Sequence, residues 1–275
     1  MIKLGSHISF KAPNYLTDSC QNALNNGANT LMIYLGAPQN TARVAVEKYN
    51  LDLYKEKYEA LIPAHDIVVH APYIINPSNP SKNRFAIDFL IDEIKRMEQA
   101  GFKYLVLHPG ASVEYDVEEA LDTLIDSLNE VIENTNDVVI CLESMSGKGT
   151  EVGRDLEQLA HVIKWVNHDR LKICLDTCHL WDAGYDLQDY EGFKKELVKW
   201  DLLKEVAVIH LNDSKNDVRS HKDRHANIGK GYIGLETLKK FVFDKDFDNI
   251  PIILETPIPE DNPNIYADEI KMLLS

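Results

Sequence analysis

Between Val206 and His225 the sequence reads VAVIHLNDSKNDVRSHKDRH, a strand-length apolar run that leads into residue types able to bind metal. Val206 to Ile209 is apolar and mostly β-branched, and His210 stands where the run turns polar, so a buried strand would deliver this imidazole to the surface. Asp223 and His225 follow, two positions apart. In an extended segment such residues project to one side, which would let both side chains hold one cation. Comparable residues end other apolar runs: His70, His108, Glu143, Asp176 with His179 just after it, and Glu255. Taken singly, each has a plain structural explanation, a hydrogen-bonded histidine or a carboxylate that caps a helix or pairs with a base. Taken together, seven of the nine stand at or just beyond the ends of six consecutive runs, a pattern that structural roles alone give no reason to expect. Buried like charges would also repel unless cations lay between them.

Mixed imidazole and carboxylate ligation suits zinc, with manganese or iron possible, rather than the all-oxygen cages of calcium or magnesium. Nine donors are too many for one ion. Two or three ions, at least one pair bridged by a carboxylate, fit the set and leave positions for water and substrate oxygens. Clusters of this kind serve displacement at phosphorus. His7, in GSHIS, is expected to face the same rim and touch ligands or substrate. His65, His161 and His168 read as surface or structural residues, and His221 has no clear role. Cys178, inside DTCH, is a chemically reasonable thiolate ligand, but we read it as packing.

These residues need a frame that brings distant positions together. Short apolar runs mark strands near Lys3 to Ile8, Thr30 to Tyr34, Ile67 to His70, Tyr104 to His108, Val138 to Glu143, Lys172 to Asp176, Val206 to Leu211 and Ile252 to Thr256. Helices are expected over 15–26, 43–60, 82–100, 117–134, 154–167, 189–200, 235–243 and 264–274. In 82–100, Phe85, Ile87, Phe89, Leu90, Ile94 and Met97 mark the apolar face, the charges at Asp92, Glu93, Lys95 and Arg96 the polar one, and Gly101 the stop. Eight alternating β and α units predict a (β/α)8 TIM barrel, one domain over residues 1–275, with a doubly wound sheet as the alternative. No Gly-rich phosphate loop follows any strand. Barrel sites lie at the C-terminal ends of the strands, where these residues stand.

Composition sets further bounds. With 275 residues, 44% hydrophobic and 27% charged, the chain can bury a large core. It has no apolar run of the roughly 20 residues that span a bilayer, and MIKLGSHISF does not read as a signal peptide, so we expect a cytoplasmic protein with no membrane partner. Cys20, Cys141, Cys174 and Cys178 are expected to be free thiols. A net charge of −15 argues against nucleic acid on its face. However, Lys215, Arg219, Lys222, Arg224 and Lys230 cluster against only Asp213, Asp217 and Asp223, and bound divalent cations would add positive charge.

Specific segments carry a family likeness: HAPYIIN at 70–76, LHPG at 107–110, the Glu143 segment, LDTCH at 175–179, HLNDSK at 210–215, DRH at 223–225 followed by IGKGYIG, and ILETP at 253–257. Over its whole length the chain resembles the endonuclease IV family of zinc-dependent apurinic/apyrimidinic endonucleases. The resemblance implies a trinuclear zinc mechanism: His70, His108 and Glu143 at one ion, Glu143, Asp176, His210 and Glu255 at a second, and His179, Asp223 and His225 at a third. It also implies that manganese can replace zinc at one site, and that Glu143 and Glu255 are the catalytic carboxylates. It further implies hydrolysis 5′ to abasic sites to give 3′-hydroxyl and 5′-deoxyribose phosphate ends, trimming of blocked 3′ ends, double-stranded DNA as partner and a monomeric protein. Tyr73 and Ile74 match positions that push into the duplex, and Gln39, Lys215 and Arg224 are expected DNA contacts. Asn40, Ser144 and Ala226 depart from the family pattern, so altered DNA contacts around an intact metal cluster are expected. The main rival is a metal-dependent sugar isomerase or epimerase of the xylose isomerase-like type, which needs only Glu143, Asp176, His210 and Glu255. The other five candidate ligands speak against it. A second rival, a lesion-binding protein without enzymatic activity, is disfavoured by the complete ligand set.

Overall fold

In a computed structural model that describes Met1–Ser275, strands and helices alternate as expected. The strands are β1 (Lys3–His7), β2 (Thr30–Ile33), β3 (Ile67–His70), β4 (Tyr104–Leu107), β5 (Val139–Glu143), β6 (Leu171–Asp176), β7 (Val206–His210) and, after a short ribbon of β8 (Asp213–Ser214) with β9 (His225–Ala226), β10 (Pro251–Leu254). The eight longer strands are parallel and close into a barrel in the order β1-β10-β7-β6-β5-β4-β3-β2. Around it run α1 (Leu16–Asn25), α2 (Leu51–Lys57), α3 (Asn83–Ala100), α4 (Val117–Glu133), α5 (Leu156–Val166), α6 (Thr177–Ala183), α7 (Tyr190–Lys199), α8 (Leu235–Phe243) and α9 (Ile265–Leu274). No helix is long and apolar enough to cross a membrane.

Strand faces divide the apolar residues by alternation. Leu31, Ile33, Ile67, Val69, Leu105 and Leu107 point outward into the shell shared with the helices. Met32, Val68, Val106, Cys141, Cys174, Val208 and Ile253 point inward and fill the barrel as one buried layer. The cysteines are free and buried, as expected.

Four expectations need correction. The helix expected over 43–60 is shorter: a 3-10 turn at Val46–Tyr49 precedes α2, and between them Asn50 takes a left-handed φ of 61°. Tertiary contacts override helical propensity there: the Asn50 side chain donates to the Asn14 carbonyl at 2.9 Å, and Arg43 turns away to pair with Glu93 on α3, Nε to Oε1 at 2.8 Å. Glu93, expected on the exposed face of α3, is consequently fully buried, and Phe85, expected on its apolar face, is exposed. Finally, α6 stands in the loop after β6, where no helix was expected.

Candidate metal centre

Adding two residues to six of the seven members of the inner layer gives the candidate ligands of the rim: Val68 leads to His70, Val106 to His108, Cys141 to Glu143, Cys174 to Asp176, Val208 to His210 and Ile253 to Glu255, while Met32 leads to Tyr34. The period of two in a strand therefore turns a packed apolar layer into a layer of donors directly above it. His179 joins from the first turn of α6, which Asp176 caps by accepting the His179 N–H on Oδ1 at 2.8 Å. Asp176 thus serves both readings open to a strand-end carboxylate. One oxygen caps a helix, and the other, Oδ2, faces His225 Nε2 at 3.6 Å.

All nine candidate ligands meet in one cluster. Glu143 places Oε2 at 3.2 Å from His70 Nε2 and 3.0 Å from His108 Nε2, and Oε1 at 3.0 Å from His210 Nδ1. His210 Nδ1 also lies 2.9 Å from Glu255 Oε2. Asp223 Oδ1 meets His179 Nε2 at 3.1 Å and His225 Nε2 at 3.5 Å. Five sets bring one donor atom per residue within 4.8 Å of each other: two are His70–His210–Glu255 and Cys178–Asp223–His225, and the other three are His70–His108–Glu143, Glu143–Asp176–His210–Glu255 and Asp176–His179–His225. Of these three, the first two coincide with the groups that the family likeness implied; the last has Asp176 in place of Asp223, which joins that group through its pairs with His179 and His225. Asp223 and His225 converge by a route other than the one expected. Asp223 has a φ of 53°, so the segment is not extended, and His225 is held by pairing with Ser214 in the ribbon.

The electrostatics of the cluster follow from packing acids and bases out of water. Burial opposes ionisation of Glu143, but the His210 and His108 imidazoles outweigh it and hold the carboxyl well below its usual range. Glu255 is likewise held low, with burial overcome by His210. Asp176 moves the other way, because burial is the largest influence on it. Burial also works against charge on His179 and His210, yet the neighbouring acidic groups raise both well above the ordinary imidazole value. A set of four buried or half-buried carboxylates that draws protons onto its imidazoles is one that cations can satisfy instead.

Further residues orient the donors, and their roles depend on contacts that sequence spacing does not display. Ser144 Oγ accepts the Asp176 N–H at 2.9 Å and its carbonyl meets His179 Nδ1 at 2.9 Å. Asn212, fully buried, donates to Asp176 Oδ2 and accepts the Glu255 N–H, both at 2.9 Å. Its polar side chain directly after a buried strand, in HLND, was the available signal. Glu269 on α9 accepts from Thr256 Oγ1 at 2.5 Å, Ile228 N at 2.8 Å and Asn227 Nδ2 at 3.0 Å, tying together the segments that carry Glu255 and His225.

The donors fit a cluster of zinc-type cations. His225 Nε2, which faces Asp176 and Asp223, is buried without a protein hydrogen-bond partner, so the protein alone leaves the cluster incompletely satisfied. Cys178 comes within reach of Asp223 and His225, but burial, its largest influence, pushes the thiol pKa far up, in keeping with a packing role.

The expected DNA contacts lie on the surface. Tyr73 and Ile74 are 55% and 44% exposed immediately after His70, a large apolar pair in water beside a polar cluster. Gln39, Lys215, Arg219, Lys222, Arg224 and Lys230 are exposed too. Asn40 turns its side-chain oxygen back to the Ala42 N–H at 3.0 Å. Ala226 is buried in the ribbon, where it pairs with Asp213. His7 packs edge-on against Tyr34 at 5.3 Å, which stacks on His70 at 4.9 Å, and burial chiefly lowers its pKa. The His221 ring donates from Nδ1 to the Ser146 carbonyl at 2.9 Å. His65 and His168 are exposed and His161 half-buried, away from the cluster.

Residues 20–275 match the family model described as xylose isomerase-like TIM barrel. The chain is 63% identical to "Probable endonuclease 4" of Mycoplasmopsis synoviae (strain 53), with 100% of this chain and 99% of that protein covered. Among solved structures it superposes on endonuclease IV from Thermus thermophilus with a TM-score of 0.86 at 26% identity, covering 99% and 98% of the two chains. A D-tagatose 3-epimerase-like protein gives a TM-score of 0.74 at 21% identity, with 99% and 96% covered, a likeness of fold alone.

Proposed function

Since the chain belongs to the endonuclease IV family, we propose that it is a DNA-repair endonuclease. It hydrolyses the phosphodiester 5′ to an abasic site, leaving 3′-hydroxyl and 5′-deoxyribose phosphate ends, and trims blocked 3′ ends. The observation that carries this reading is the gathering of nine imidazole and carboxylate donors on one barrel rim. A sugar epimerase on the same fold needs only the group Glu143, Asp176, His210 and Glu255, which leaves His70, His108, His179, Asp223 and His225 without a purpose.

We assign three zinc ions to the cluster, with manganese able to replace zinc at one site. His70, His108 and Glu143 would hold one, Glu143, Asp176, His210 and Glu255 a second, and His179, Asp223 and His225 the third, with Asp176 placed to reach it as well. When bound, such ions polarise phosphoryl oxygens and lower the pKa of water to near neutrality, which is the chemistry that phosphodiester hydrolysis needs.

The protein's own groups do the rest. Glu143 and Glu255 are the catalytic carboxylates: each turns an oxygen to His210 Nδ1, at 3.0 and 2.9 Å, and Glu143 belongs to the first two donor groups. Lys215 and Arg224, exposed beside the cluster, hold the phosphate backbone, with Arg219 and Lys222 in the same loop. Tyr73 and Ile74 fill the space left in the duplex at the lesion, and their exposure supports that use. This local positive face reconciles DNA binding with a net charge of −15.

The test is incision of a duplex with one abasic site by the purified protein in the absence of added magnesium. A single nick 5′ to the lesion that a chelator abolishes is expected. Sugar isomerisation without nicking would overturn the reading.

A further inference from the structure

Asp182 is a fully buried carboxylate that forms no ion pair and belongs to none of the three donor groups. It stands on α6 one turn after His179, so both side chains leave the same face of that helix. Asp182 Oδ2 accepts the backbone N–H of Asp223 at 2.8 Å, and Oδ1 accepts from Ser214 Oγ at 2.7 Å. Its carbonyl accepts the His221 N–H at 3.0 Å. Next to it, the Trp181 carbonyl accepts the Arg219 N–H at 3.0 Å, and Trp181 Nε1 donates to the Asn216 carbonyl at 3.0 Å.

The segment held in this way is unusual. Arg219, His221 and Asp223 have φ values of 65°, 54° and 53°, three non-glycine residues at alternate positions in the left-handed region. Such a backbone persists only when its surroundings fix it. A buried carboxylate also costs free energy unless its hydrogen bonds are made. The bond between Asp182 and the Asp223 amide serves both demands at once.

We propose that Asp182 is a positioning residue: it ties the strained loop 216–224 to the helix that carries His179, and so sets Asp223 against the His179 imidazole. The proposal rests on the reading above, in which His179, Asp223 and His225 hold a cation, but its structural half can be tested on metal-free protein.

Lys215, Arg219, Lys222 and Arg224 make the loop a set of trypsin sites. With opening faster than cleavage, the cutting rate follows the population of the open loop. In metal-free protein, Asp182→Ala should be cut in this loop at least about tenfold faster than the parent, with its thermal midpoint recorded to show an intact barrel. Asp182→Asn should restore protection to within about threefold, because its amide oxygen can accept the Asp223 N–H and its NH2 can donate to Ser214 Oγ. Should the alanine variant not fold, Ser214→Ala, which removes one of the carboxylate's partners, should still be cut at least about threefold faster than the parent. In zinc-loaded protein, D182A should lose the same single equivalent that His179→Ala loses. Cutting of D182A, or of S214A in its place, at the parent rate would overturn the proposal. If H179A kept every zinc of the parent, the assignment of a cation to this group would fail, whatever the protease result.

Discussion

Glu143 turns one carboxylate oxygen to His210 and keeps the other for a separate pair: Oε1 lies 3.0 Å from His210 Nδ1, while Oε2 lies 3.2 Å from His70 Nε2 and 3.0 Å from His108 Nε2. Two donor groups thereby share one side chain, and removing its charge should disturb both. Glu143→Gln is expected to lower incision by more than the about 10- to 100-fold that outer-sphere partners cost, and to reduce metal content measured on the same preparation. A full metal complement in E143Q would contradict a shared carboxylate.

The exposed pair Tyr73 and Ile74 is predicted to act on DNA and leave the metal centre alone. Tyr73→Ala should weaken binding to an abasic duplex by about 1 to 3 kcal/mol, the range for loss of an aromatic stacking contact. Zinc content should stay at the parent value. Binding measured by anisotropy and unchanged by the substitution would remove Tyr73 from the interface.

Charge on the loop above β7 should appear in the salt dependence. Each phosphate contact contributes a slope of about −0.9 in the logarithm of the binding constant against the logarithm of salt concentration. Arg224→Ala and Lys215→Ala should each make the measured slope shallower by about 1. Parallel lines for parent and variant would mean that the residue does not meet a phosphate.

Away from the site, Asp244 accepts from Lys194 Nζ and Tyr190 Oη, both at 2.7 Å. Burial opposes its ionisation, but the bonds from Lys194 and Tyr190 more than offset it and lower the carboxyl pKa. Because folding lowers this pKa, the stabilisation is complete above the ordinary value of 3.8 and disappears as pH falls through the folded value. Asp244→Asn should cost about 1 to 3 kcal/mol in urea unfolding at pH 7, with the gap from the parent closing below about pH 4. A gap that stayed constant down to acid pH would show that the carboxylate charge contributes nothing.

The barrel and most of the candidate site were legible because both depend on strand period. A buried parallel strand writes a continuous apolar run, and the first polar residue past it lands on the rim, which locates His70, Glu143, Asp176 and His210. The break of the second helix at Asn50 was not legible, since the Asn50 side chain is engaged by the Asn14 carbonyl, 36 positions away. For α6 the signal is present in DTCH, where Asp176 caps the helix, but the metal chemistry of the same aspartate masks it. Asp223 and His225 come within 3.5 Å of each other, but not through the extended geometry expected, because a left-handed residue and a two-strand ribbon leave no period to read. Asn212, Asp182 and Glu269 owe their placement to hydrogen bonds between distant segments, which composition and spacing do not encode.

The central claim, a cluster of three cations that hydrolyses the backbone beside an abasic site, is tested most directly by titrating zinc into metal-free protein and following incision of an abasic duplex. Incision should be absent at the start and rise to its maximum near about three zinc ions per chain, the number that nine donors with one shared carboxylate support. Maximal incision at one zinc ion, or incision before any was added, would contradict it.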